Sequence, residues 1–155
     1  MKAGMNKIVL PINKVHATCE PVIFTCYGLG SCVGVFVLDR LRGLSGGAHI
    51  PLPSLIEGSE FHDASKLIIR LLTSMASLGS NLAYLRAKIT GGAQVYDSHL
   101  NIGQRTSQEV IRQLIDNKIF IAATDIGGRV SRTARFNSFT GDLQITTSEQ
   151  KTYCI

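Results

Sequence analysis

Residues 22–50 read VIFTCYGLGSCVGVFVLDRLRGLSGGAHI, and the two glycine-punctuated bends in this stretch decide the fold. Val22–Tyr27 is rich in β-branched and aromatic residues and reads as a strand. Tyr27-Gly-Leu-Gly-Ser-Cys32 then turns the chain. Val33–Asp39 is an apolar run of strand length, as a buried strand requires. The chain returns from Gly43 to Ile50 through Gly46-Gly47-Ala48-His49, and Pro51-Leu-Pro53 stops it.

Outward from this core, Ile8–Pro11 reads as a strand. Asp63 to Leu78 reads as a helix, with Leu67, Leu71, Leu72, Met75 and Leu78 on one face, Asp63 as N-cap and Gly79 just past the end. Leu82–Ile89 is a strand candidate leading to Gly91-Gly92. A capping-box pattern, Thr106 with Glu109, opens a second helix whose stripe is Val110, Ile111, Leu114 and Ile115. Ile119–Ala123 reads as a strand, and Ala134–Phe139 and Leu143–Thr147 form a hairpin about Thr140-Gly141-Asp142. Strands cluster at both ends and each helix is followed by a strand. The expectation is an α+β layered sandwich of mixed or antiparallel sheet, with two main helices covering one sheet and residues 1–155 forming one domain.

With 45% hydrophobic and 17% charged residues, the chain has an apolar content that disordered sequences lack. A net charge of +5 tolerates an acidic partner without demanding one, while 6% aromatics and no Trp weigh against a base-stacking nucleic-acid surface. No apolar run approaches the ~20 residues of a membrane-spanning helix, so no membrane insertion is expected. Ile8–Pro11 is too short for the core of a signal peptide, and the expected location is the cytoplasm. Cys19, Cys26, Cys32 and Cys154 form no CxxC pair, which argues against a metal site and a disulfide framework and leaves free thiols; no cofactor is called for.

Cys32 is the strongest candidate for chemistry. It follows Gly28-Leu-Gly30-Ser31, where glycines let backbone approach a substrate, and the N–H groups around Gly30, Ser31 and Val33 could hold an oxyanion. A thiolate is the reactive form of cysteine, and an imidazole such as His49 could generate it. A cysteine ahead of Val-Gly-Val also fits a small buried hydrophobe, and spacing alone does not bring Cys32 and His49 together.

The arrangement of motifs adds to this reading. LGSCVGV followed by GGAHIPLP resembles the chemoreceptor glutamine deamidase family, CheD. Lys88-Ile-Thr-Gly-Gly-Ala93, Asn101-Ile-Gly103, Asp125-Ile-Gly-Gly128 with Arg132 and Phe136, and Thr140-Gly141 are similar to its further segments, in order from about Val22 to Leu143. The resemblance implies a sandwich of the deamidating-toxin, cysteine-hydrolase type. It also implies hydrolysis of glutamine side-chain amides on the cytoplasmic helices of methyl-accepting chemotaxis receptors, with receptor methylesterase activity in some members. Cys32 would be the nucleophile and His49 the base, passing through a thioester, and the CheC phosphatase would be a second partner.

One departure bears on the site. The family's third catalytic residue is a threonine where this chain has Cys26, with Thr25 one residue earlier. In a regular strand these two face opposite sides, so either a bulge redirects Thr25 or Cys26 takes the position. Arg129, Arg132 and Arg135, spaced every three residues without an intervening acid, form either a solvated edge or a basic patch for a receptor or other acidic partner. Two alternative functions stay open: a non-enzymatic module that docks on receptors or on CheC, and a cysteine hydrolase of another amide.

Overall fold

A computed structural model describes residues 4–97 and 99–155. Two five-stranded sheets stack face to face, and two helices cover the outer face of one of them. The strands are β1 (Asn6–Val9), β2 (Val15–Thr18), β3 (Val22–Leu29), β4 (Val33–Asp39), β5 (Leu44–Ile50), β6 (Arg86–Gly91), β7 (Phe120–Ile126), β8 (Arg132–Asn137), β9 (Leu143–Thr147) and β10 (Thr152–Cys154). The helices are α1 (Ala64–Ser77) and α2 (Ile102–Asp116). One sheet runs β1-β3-β8-β9-β10 and the other β2-β5-β4-β6-β7. Each sheet carries one parallel pair, β1 with β3 and β6 with β7, and is otherwise antiparallel. The expected α+β sandwich of mixed sheet with helices on one face is what forms.

Every residue of β4 is buried, which explains its unbroken apolar run: a strand covered on both faces has no side that gains from polarity. Val33, Val35 and Val37 pack toward the helices with Leu67, Leu71 and Met75 of α1 and Val110 and Leu114 of α2. Phe36 and Leu38 point the other way, among Phe24, Cys26 and Leu29 of β3 and Phe136 of β8. Full burial of each such side chain stabilises the fold by roughly 1.5–3 kcal/mol.

Several boundaries differ from expectation. The Asp63 carboxylate accepts from the Lys66 N–H, as an N-cap should, and Gly79 takes φ +101° after the last turn. The strand expected from Leu82 instead begins at Arg86, after a 3-10 turn over Leu82–Tyr84 that the Asn81 side chain caps. The second helix starts a full turn before Thr106, at Ile102. The Thr106 hydroxyl donates back to the Ile102 carbonyl inside the helix, and Glu109 holds Arg112 and Gln113 instead of closing a cap. Ile115, assigned to the buried stripe, is 61% exposed. The short edge strands β2 and β10 carried no clear pattern; pairing with β5 and β9 makes them strands.

Candidate active site

Cys32 lies between the bend at Gly30 and Ser31 and the first residue of β4, packed against the cluster between the sheets. His49 on β5 is in register with Gly34 on β4. Leu44, Ala48 and Ile50 belong to the helix-side cluster, so the alternate His49 faces the other sheet, as Cys32 does. Cys32 directly precedes Val33, which pairs with Ile50 of β5, so Cys32 and His49 lie on the same face at neighbouring ends of β4 and β5. Gly34 leaves the space opposite the imidazole free of a side chain; a Cβ there would stand 3.2 Å from the Phe36 ring.

The His49 ring is 2% exposed. Its Nδ1 is 2.8 Å from the Leu10 carbonyl oxygen, while Nε2 is buried and makes no hydrogen bond. Burial lowers the His49 pKa below the usual histidine range, with the Leu10 carbonyl opposing, so the ring is neutral at pH 7. Burial also pushes the Cys32 thiol up to about 11. Burial therefore disfavours the charged form of both groups, the thiolate and the imidazolium, and His49 Nε2 makes no hydrogen bond to the Cys32 sulfur.

Glycines build the loop around Cys32. The Gly92 N–H donates to the Cys32 carbonyl at 2.8 Å, and the Ala93 N–H donates to the Gly30 carbonyl at 2.8 Å. Gly91, at φ +113°, leaves no room for a side chain: a Cβ would lie 2.3 Å from the Cys32 carbonyl oxygen. The Gly30 N–H is tied to the Gly28 carbonyl, which removes it from the expected oxyanion donors. Among the described residues the N–H groups of Ser31 and Cys32 donate to no backbone acceptor. Cys32 opens onto a cleft of about 500 Å³ whose lining includes Gly28, Ser31, Val95, Tyr96 and Ile102, with no charged side chain among the described lining residues.

The third position resolves geometrically. Thr25 pairs with Arg135 and Cys26 with Ala134 in unbroken succession, and the register shift falls only after Cys26. No bulge redirects Thr25. Cys26 faces the inter-sheet cluster, where burial first and Cys32 second push its thiol well above the usual range. Thr25 faces outward, fully buried, and its hydroxyl has no partner. Lys7 bonds the Tyr27 hydroxyl, and Arg135 lies over the Tyr27 ring, on that same outer face.

The three arginines form no common patch. Arg129 pairs with Asp97 at the surface, and Arg135 lies on Tyr27. Arg132 is a correction: it is 6% exposed and donates to the Asp125 carboxylate at 3.2 Å and to the Gly127 carbonyl at 3.0 Å. The strand period held the signal, because Arg132 shares the inward face of β8 with Ala134 and Phe136. The same Asp125 accepts from the Tyr153 hydroxyl at 2.5 Å, and the Gly127 N–H donates to the Gly91 carbonyl. Arg132 thus holds the strand ends that hold the Cys32 loop. Lys88 donates to the Gly141 and Ile155 carbonyls at 2.7 Å each, tying β6 to the β8–β9 turn and the last residue.

Among the described residues no group of three or more His, Cys, Asp or Glu side chains could hold a metal ion, and all four cysteines are free. No helix among them is long and apolar enough to cross a membrane.

Comparison with known proteins is consistent along the chain. The family model described as CheD chemotactic sensory transduction matches residues 59–147. A Desulfitobacterium hafniense protein named probable chemoreceptor glutamine deamidase CheD is 35% identical over 150 residues, covering 92% of this chain and 94% of its own. An alignment of that extent runs through Cys32 and His49. The chemoreceptor glutamine deamidase CheD of Halalkalibacterium halodurans is 34% identical over 157 residues, covering 94% of this chain and 97% of its own. A Moorella thermoacetica protein with the "probable" form of that name is 39% identical over 133 residues, covering 77% and 78%. Among solved structures, the Bacillus licheniformis hypothetical protein YfiH aligns over 72% of this chain and 50% of its own, at a TM-score of 0.48 and 18% identity.

Proposed function

The chain belongs to the CheD chemotactic sensory transduction family, and from that premise we propose that it is a protein-glutamine deamidase of chemoreceptors, with Cys32 as nucleophile and His49 as general base. The observation that carries the assignment of residues is the free, buried Nε2 of His49 on the face where Cys32 meets the cleft. The uncharged lining of that cleft suits a neutral carboxamide and offers no counter-ion to hold the carboxylate product.

The chemistry follows from the protonation states. His49 Nε2 takes the Cys32 proton as the sulfur bonds to the amide carbon, because the thiol is too weak an acid to ionise alone at pH 7. The Ser31 and Cys32 N–H groups receive the oxyanion. The imidazolium then protonates the departing ammonia, leaving a thioester on Cys32. His49 next draws a proton from water, which attacks the thioester and releases glutamate and the free thiol. Cys26 forms the packed wall behind the nucleophile.

With this reading go a cytoplasmic location and CheC as a second partner. The test is incubation with a receptor cytoplasmic fragment, following amide-to-acid conversion by mass and ammonia release. Conversion that Cys32→Ala abolishes while the protein stays folded supports the reading. Binding to receptor or CheC without conversion favours a docking module instead, and conversion of an unrelated protein's glutamine alone favours a different hydrolase.

A further inference from the structure

We propose that the backbone carbonyl of Leu10 is the group that orients the catalytic imidazole, in the place where a side chain would complete a triad; this rests on the assignment of His49 as the base. A carbonyl oxygen only accepts, so the 2.8 Å contact requires His49 Nδ1 to carry the proton. Nε2 then presents its lone pair, and it is the nitrogen left buried without a partner.

The carbonyl is itself held. The Leu10 N–H donates to the Thr25 carbonyl at 2.8 Å, and the Leu10 side chain is 2% exposed between the sheets. On the far side of Pro11, the Asn13 N–H donates to the His49 carbonyl at 2.9 Å and the His49 N–H donates to the Lys14 carbonyl at 3.1 Å. The Asn13 side chain accepts from the His62 N–H at 2.7 Å, fastening the strap to the segment before α1. Residues 10–14 thus grip both the ring and the backbone of the base. Thr25 contributes through its main chain, whatever its hydroxyl does, and neither Thr25 nor Cys26 has to supply a polar side chain to the site.

The sequence offers a clean way to test this. Residue 11 is proline, so replacing it with an α-hydroxy acid converts the Leu10 carbonyl from amide to ester, a weaker acceptor, without deleting an N–H donor. Exposed Cys19 is a ligation junction: a synthetic 1–18 thioester carrying the ester joins to expressed Cys19–Ile155 to give the full chain. The comparator for the lost ring is Pro11→Ala made the same way. The ester chain should show kcat about tenfold below Pro11→Ala, the expected effect of weakening one orienting hydrogen bond, with KM unchanged.

In the ligated native chain, with histidine labelled in the expressed segment, the ¹⁵N shifts of His49 should report the Nδ1–H tautomer, assigned by its loss in His49→Gln. An Nε2–H tautomer in the native chain would overturn the inference, as would equal kcat in the ester and Pro11→Ala chains. If the native chain released no ammonia from receptors, the deamidase reading would fail instead, and the tautomer spectrum would still decide whether Leu10 orients the ring.

Discussion

Gly91→Ala is the substitution whose consequence the structure specifies most closely. Two costs fall on it. Alanine would have to hold φ +113°, a region where a non-glycine residue costs of order 1–3 kcal/mol. Its Cβ would also stand 2.3 Å from the Cys32 carbonyl oxygen and 3.2 Å from the Val33 Cα, both backbone atoms with no flexible end to swing away. Restoring ordinary contact requires the Cys32 peptide to retreat by about 1 Å, and a misplacement of that size at a reacting group costs about 10²-fold.

The comparator is Gly43→Ala in the β4–β5 turn, at φ +67° with nothing within 4 Å of a Cβ. It carries the backbone strain alone, about 1–2 kcal/mol, or several degrees in Tm. The assay is ammonia release from a receptor fragment, with kcat/KM corrected for the folded fraction by circular dichroism. Gly91→Ala should lose about 10²-fold, and Gly43→Ala should match the native protein. Native turnover in folded Gly91→Ala would refute the claim that this glycine sets the position of Cys32. Equal losses in the two variants would show that only strain is at work.

Thr25→Val replaces a buried, unpartnered hydroxyl with a methyl group and should leave activity unchanged while raising stability by about 1 kcal/mol in urea unfolding; a large loss of turnover would mean the hydroxyl is catalytic after all. Arg132→Met leaves Asp125 half-buried with only Tyr153 and should cost about 3–5 kcal/mol, with turnover of the remaining folded protein also reduced because the Gly91 and Gly127 segments lose their donor. With neutral His49 as the proposed base, the acid limb of kcat/KM should lie below the ordinary histidine range, because burial lowers its pKa. Alkylation of Cys32 by iodoacetamide should keep rising with pH through the alkaline range, as burial pushes the thiol up to about 11; a plateau near neutrality would instead reveal a thiolate–imidazolium pair.

The sequence by itself determined the parts that rest on local pattern. Period 2 along β8 and β9, the unbroken apolar run of β4, and the 3.6 period with a capping Asp63 in α1 are each encoded within one element. The ordered glycine motifs around Cys32 and His49 were legible because glycine is selected by backbone conformation, which is local. Other features depended on neighbours far along the chain. β2 and β10 are strands because β5 and β9 offer them an edge, and α2 begins before Thr106 because Gly103 fits against the Ala93 carbonyl, where a Cβ would come within 2.4 Å.

The site divides in the same way. Cys32 and His49 were singled out from residues as the candidate nucleophile and base, but how the imidazole is held was not. A backbone carbonyl at Leu10 has no residue type to betray it, and only stacking of the two sheets brings it to His49. Protonation, too, is a tertiary property: the thiol is raised and the imidazole lowered because packing removes water from both, and no spacing in the chain records that.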